Sequence, residues 1–320
     1  APKSPLGRWR PLDFVETGLR RLGLNDYTLL LLLAGVVGTA TGLGVLAFRT
    51  VFETVTHWIL PGAHGHDVVE AVRAAPWWKV VSIPAAGGLV VGLVHHLAMR
   101  GGEFHGVAQV INAVAFLEGR IPFLTTAVRF VTNALSIAVG GSVGPEGPVI
   151  ELGSGLGSAT GQWLRLSPER IRTLVGCGAA AGLAAAFNAP IAGAIFALEI
   201  VLKDFAVVTF SPIIASAVLA TAVSRTFLGA SPAFPVPAYE LGSPRELLLY
   251  VLLGVLAGLL GWVFIRSMQL GERWMARVPL PRPVVTLLAG GVLGGGLLLV
   301  PELYGVGYEP TVALPVSYTH

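Results

Sequence analysis

The residues with the clearest chemical potential stand in Gly140-Gly141-Ser142-Val143-Gly144-Pro145-Glu146-Gly147-Pro148, which runs straight into the apolar segment Val149–Trp163. One carboxylate, Glu146, lies among Gly and Pro at a predicted helix start. A helix start presents backbone N–H groups that lack intrahelical acceptors, together with the positive end of the helix dipole. That combination holds anions. A carboxylate in the same place competes with an incoming anion, so the pattern points to anion binding controlled by an acid. Three further charged residues fall in apolar stretches: Arg129 within Thr125–Gly140, Glu151 on the same predicted helix as Glu146, and Glu199 just past an uncharged run. A polar residue at membrane depth is functional by default, yet Arg129, Glu151 and Glu199 also fit structural pairing.

What must position these residues is a lipid-embedded frame. Of the 320 residues, 54% are hydrophobic and 12% charged, against about 25% charged in a soluble domain. With several long uncharged runs, this places the chain in a bilayer. Most of the 41 Gly lie inside the apolar runs, where Gly permits close helix packing. A net charge of +3 does not make a nucleic-acid surface, and no nucleic-acid partner is expected. The single Cys177 excludes an intrachain disulfide and a Cys-based metal cluster; between glycines it reads as a small packing residue.

The spans follow from the uncharged runs. Residues 1–26 form a polar, basic arm with no signal-peptide pattern, and the positive-inside rule puts it in the cytoplasm. Tyr27–Phe48, Val80–Met99, Ala206–Ser224, Leu247–Ile265 and Val284–Val300 read as spans, and residues 61–76 and 229–245 as connections. Gly101–Leu117 is too short to span. Thr173–Leu198 is interrupted at Asn188-Ala189-Pro190 and reads as two helices meeting end to end, preceded by the helix start Ser167-Pro168-Glu169. Broken helices at membrane depth are tolerated only where they line a cavity or are buried in protein. Transporters build ion sites from them, often between repeats.

A repeat is visible. Residues 80–93 align with 284–297 with half the positions identical, Gly35 and Gly42 share a spacing with Gly254 and Gly261, and His105-Gly106-Val107 echoes Tyr304-Gly305-Val306. Three echoes in the same order indicate a duplicated unit. Other signals favour bland readings. His64 and His66 sit in a polar loop without a third ligand, so no metal site is expected. The glycine run Gly153–Gly161 lacks the preceding strand and the acidic ribose partner of a dinucleotide site and reads as helix packing. No Ser/His/Asp set, His-x-x-x-His pair or P-loop is present, so neither an enzyme nor a cofactor is expected.

With these blocks in place, the chain resembles the CLC family of chloride channels and proton-coupled chloride exchangers. The resemblance rests on Gly-Ser-Val-Gly-Pro-Glu-Gly-Pro at 141–148, on Gly176–Gly193 with its Phe187-Asn188-Ala189-Pro190, on Phe196-Ala197-Leu198-Glu199, and on their spacing. It implies an all-α polytopic membrane fold of two inverted halves with broken helices, a homodimer with one pore per subunit, and chloride as the transported ion. It covers the first span to about residue 312, and residues 27–314 are taken as the transmembrane domain. By position, Glu146 resembles the family's external gating glutamate, which blocks the anion path when ionised and swings away when protonated or displaced. His105 falls beside the family's central anion site, and Arg129 resembles a basic residue near the pore. With Gly106, Gly144 and Gly147 these make up the implied anion site, and Glu151 and Glu199 are candidates for a proton path or pore electrostatics.

The chain departs from the family pattern at four places. Pro145 replaces the usual basic residue before the glutamate and removes a backbone donor. Ala108 replaces a Pro after His105-Gly106-Val107. The acid pair of exchangers is Glu199-Ile200 here, and isoleucine carries no proton. The later Gly-x-Phe-x-Pro element and pore-lining Tyr are absent, and residues 315–320 follow no family pattern. The expectation is therefore a CLC-like chain truncated at its C-terminal side, inserted in a bacterial inner membrane, transporting chloride or serving as a non-conducting scaffold.

Overall fold

Glycine positions decide how these helices meet. The computed structural model describes residues 25–62, 68–98, 106–229, 243 and 246–307, among which there are eleven α-helices and no strand. They are α1 (Asp26–Ile59), α2 (Val68–Ala74), α3 (Trp77–Ala98), α4 (Val107–Phe116), α5 (Phe123–Ala138), α6 (Glu146–Trp163), α7 (Pro168–Phe187), α8 (Pro190–Phe196), α9 (Val207–Leu228), α10 (Glu246–Arg277) and α11 (Arg282–Leu299). Among the described residues α1, α3, α9, α10 and α11 are long and apolar enough to cross a membrane, and α4, α5 and α8 are shorter apolar helices. The expected all-α, polytopic architecture with broken helices is the one observed.

The centre is the α6–α7 pair. Wherever the two cross, a glycine of one lies against the backbone of the other: Gly153 against Gly178, Gly157 against Leu174, Gly182 against Val149. The run Gly153–Gly161 is thus a packing surface, since a side chain at Gly153 or Gly157 would meet a main-chain carbonyl. In lipid, where apolar side chains gain little by leaving the solvent, such close backbone approach supplies the packing. Helix α9 crosses behind α7, with Ser216 Oγ donating to the Cys177 carbonyl at 3.0 Å and Ser224 Oγ to the Ala185 carbonyl at 2.9 Å. Cys177 itself is fully buried.

The repeated segments pack on each other. Gly88 of α3 lies against Thr286 of α11, Gly290 of α11 against Pro84, and Gly294 against Val81. The pairs run in opposite chain directions, so the two copies are antiparallel, as inverted repeats require. The third echo is carried by the backbone: Gly106 and Gly305 both hold positive φ, at 64° and 70°. The second echo is one of spacing alone. Gly42 packs against Ala220, whereas nothing lies within 4 Å of a Cβ built at Gly254 or Gly261, and the described side chains of α10 are exposed from Leu247 onward.

Two differences from the sequence reading have physical causes. Helix α1 has 34 residues, about 50 Å at 1.5 Å per residue, longer than the ~30 Å hydrocarbon layer. Its extension carries the Arg49–Glu53 ion pair one turn apart at 2.6 Å. Hydropathy marks where lipid ends, and the helix continues into water. Helix α2 lies inside the segment read as a polar loop, because Val72 buries itself beside Leu60, Val80, Leu297 and Tyr304. The predicted break is real: Asn188 ends α7 in the left-handed conformation at φ 57° and Pro190 opens α8. A π-helical turn, Ala197–Leu202, closes α8.

Candidate functional site: converging helix starts and a buried carboxylate

The start of α6 has few donors. Of its first-turn residues, Pro145 and Pro148 have no N–H, and the Val149 N–H already bonds the Pro145 carbonyl at 3.0 Å. The donors are therefore those of Glu146 and Gly147. Glu146 is half-buried, and its carboxylate folds back against Gly144, where any Cβ would collide with it. A Cβ on Gly147 would lie 3.8 Å from the Gly106 Cα. The starts of α6 and α4 therefore converge. Gly106, the residue before α4, holds φ 64° and ψ −145°, a positive-φ region used almost only by glycine that costs other residues on the order of 1–3 kcal/mol. A Cβ there would meet nothing within 4 Å, so the need for glycine is conformational and its side faces open space.

Five residues along α6, Glu151 joins three helices. Its Oε1 accepts from Arg129 Nη1 of α5 at 2.5 Å and from the Gly106 N–H at 2.6 Å. Its Oε2 lies 3.5 Å from Asn133 Nδ2. Arg129 also donates to Gln109 Oε1 of α4. Arg129 and Glu151 are 4% and 7% exposed, so both charges are removed from water, a cost of several kcal/mol per ion that only pairing and hydrogen bonds offset. Arg129, Thr132, Asn133 and Ser136 share one face of α5 and, with His95, Gly106, Gly144 and Glu151, line a cavity of about 260 Å³. Liquid water occupies about 30 Å³ per molecule, so the cavity has room for several small anions or waters.

The frame around the cavity is tied at both ends of α5. At its start, Ser158 Oγ of α6 accepts from the Ile121 N–H at 2.8 Å and donates to the Gly119 carbonyl at 2.6 Å, and Gln162 Nε2 donates to the Ile121 carbonyl at 3.0 Å. At its end, the Ala138 carbonyl, which has no intrahelical donor, accepts from the Tyr304 hydroxyl at 2.7 Å. The Tyr304 ring lies over Gly140, whose φ of 100° turns the chain toward Glu146.

The structure brings Gly106, Arg129, Gly144, Glu146, Gly147 and Glu151 together. His105 lies outside the described residues. Glu199 sits exposed on the π-helical turn, next to Ile200 at 38% exposure, and does not line the cavity. Sequence reasoning passed over Gln109, Thr132, Asn133 and Ser136. Their signal was present: Arg129, Thr132, Asn133 and Ser136 fall at i, i+3, i+4 and i+7, one helical face.

Known proteins share this chain's sequence pattern and fold. Residues 86–318 match the voltage gated chloride channel family. A putative chloride channel protein, ClcB-like, from Ralstonia nicotianae is 35% identical over 284 residues, covering 88% of this chain and 66% of that protein. The chloride channel protein CLC-e of Arabidopsis thaliana is 32% identical, covering 86% of this chain and 40% of its own length. This chain therefore spans about two thirds of the first relative and less than half of the second. Two solved structures share the fold. A slow cyanobacterial Cl⁻/H⁺ antiporter has a TM-score of 0.76 at 24% identity, over 89% of this chain and 67% of its own. A CLC-type fluoride/proton antiporter has a TM-score of 0.69 at 23% identity, over 88% and 68%. The matched residues include the α6 start, the break at Asn188 and the whole of the cavity face, and the chain belongs to the voltage-gated chloride channel, or CLC, family.

Proposed function

We propose that this integral membrane protein carries chloride across a bilayer, with Glu146 as the gate. The observation that carries the reading is the convergence of two helix starts, α4 at Gly106 and α6 at Glu146, on one cavity with a carboxylate folded against one of them. An ionised Glu146 holds the place of an anion at the α6 start. A protonated or displaced Glu146 yields it. A chloride ion entering the cavity meets hydroxyl, amide and backbone donors in place of water, each weak enough to release it. The names of the relatives support chloride as the ion. The chain works as a homodimer in a bacterial inner membrane with its N-terminus in the cytoplasm. Coupling to protons does not use the position after Glu199, because Ile200 has no titratable group.

The test is chloride flux from proteoliposomes containing the full chain. Glu146→Gln and Glu146→Ala change the flux by roughly tenfold, equivalent to ~1.4 kcal/mol in the barrier. Both variants flatten its response to pH. Unchanged flux and pH response in both variants would remove Glu146 as the gate.

A further inference from the structure

The cavity contains a second carboxylate whose position is unusual for an anion pathway. Glu151 Oε1 lies 2.6 Å from the Gly106 N–H, at the N-terminus of α4, and 2.5 Å from Arg129 Nη1. Among the described lining residues those two groups are the strongest anion donors: a backbone N–H at a helix start and a guanidinium buried to 4% exposure. We infer that Glu151 is a resident counter-ligand, a specificity-determining carboxylate that occupies the Gly106 N–H and neutralises Arg129, and so holds the cavity's affinity for small anions low enough for release. The inference rests on the anion-transport reading and adds a residue to it.

Without Glu151 the cavity would be a trap. A guanidinium shielded from water attracts an anion far more strongly than an exposed one, because the local dielectric is low. With Gly106, Asn133, Thr132 and Ser136 around it, such a centre would retain its ion. Passage requires sites that bind and let go. Glu151 supplies a fixed negative charge at the donors themselves. Its carboxylate is tied by Arg129 and Gly106 and stays on α6, whereas Glu146, on the first turn of the same helix, folds its carboxylate toward Gly144. Gln109 fixes Arg129 from the α4 side, which keeps the guanidinium aimed at Glu151. Among the described residues, the other titratable group lining the cavity is His95 of α3, and the Glu146 carboxylate lies against the lining residue Gly144.

The experiment is a double-mutant cycle on the full chain in detergent, read by calorimetric titration with sodium chloride and sodium bromide against sodium gluconate, and separately by flux in proteoliposomes. Glu151→Gln keeps an oxygen for the Gly106 N–H and removes the charge. It tightens half-saturation roughly tenfold, a conservative figure for one unpaired charge at this range, and lowers maximal flux. Arg129→Gln weakens binding by a similar factor. The double variant returns to within about threefold of wild type, because the charges cancel again. A purely structural pair would make the double variant no better than the singles, and that result overturns the inference. So do single variants that leave the affinity unchanged, or no chloride or bromide binding by wild type and Glu151→Gln alike. If Glu151→Gln does not yield monodisperse protein, the comparison is Arg129→Gln against the double variant, and failure of the double to regain affinity is equally fatal. Binding is measured without transport, so a chain that binds as described but carries no chloride would refute the transport reading alone.

Discussion

At the residue scale, the direction of single groups decides what the cavity can hold. Gly106 at φ 64° aims its N–H at Glu151. Gly106→Ala meets no steric obstacle, but keeping φ 64° with ψ −145° costs a residue with a Cβ on the order of 1–3 kcal/mol of strain. The cheaper response is to rotate, which takes the N–H away from Glu151. Gly106→Ala is therefore expected to leave thermal stability within a few degrees of wild type while shifting the chloride half-saturation several-fold; an equal loss of both would show that this torsion matters only for folding. Glu146 could be picked out of the sequence because an acid set among Gly and Pro at a helix start in an apolar chain stands out in the letters. The Arg129–Glu151 pair could not. The two residues are 22 positions apart on different helices, and only the crossing of α5 with α6 decides that they meet. The face formed by Thr132, Asn133 and Ser136 could have been read from its spacing, but hydroxyl and amide residues in an apolar helix equally satisfy their own backbone. Thr132 does so, donating to the Val128 carbonyl at 3.0 Å.

At the scale of elements, the α6–α7 crossing fixes the height at which Glu146 and Glu151 sit. The glycines at 153 and 157 set the separation of the two axes, and each Glu moves with α6 if that separation grows. Gly178→Leu puts a side chain into the Gly153 carbonyl. It is expected to cost at least about 3 kcal/mol, the upper end for overpacking, and to lower the yield of monodisperse protein. Gly258→Leu on α10, where nothing lies within 4 Å, is the control and leaves yield unchanged. The five long helices were visible as uncharged runs, and the break at Asn188-Ala189-Pro190 was visible because a left-handed cap and a helix-opening proline stand side by side. Helix ends were not visible, as α1 shows: its extension carries the Arg49–Glu53 pair one turn apart, charges compatible with helix that hydropathy counts against the span. Helix α2 escaped for the opposite reason, being too short to show a period.

At the scale of the molecule, the two copies of the repeated segment cross antiparallel at α3 and α11, and the end of the second copy reaches back to the site. The hydroxyl of Tyr304 caps the last carbonyl of α5 across a separation of 166 residues, and its ring covers Gly140. Tyr304→Phe removes the donor and leaves the ring, and is expected to cost about 1 kcal/mol of stability. Tyr304→Ala also uncovers Gly140, and flux should fall further than stability does, as measured by thermal unfolding beside proteoliposome flux. If Tyr304→Ala affected stability alone, the 139–145 link would hold its shape without this brace. The repeat itself was readable only in part, since glycine-rich apolar helices resemble one another by chance; the positive φ shared by Gly106 and Gly305 is what the letters alone did not carry.

The Tyr304 brace also has a meaning in time. A ribosome that has just completed Glu146 must add more than 150 residues before the side chain that fastens the preceding loop exists, roughly 8–30 s at 5–20 residues per second. During that interval the gate-bearing segment is in the membrane with its loop unfastened. Protease access to residues 139–144 in stalled nascent chains, or labelling of a cysteine introduced at Ser142, should therefore stay high until the chain has extended well past residue 304, and drop only then.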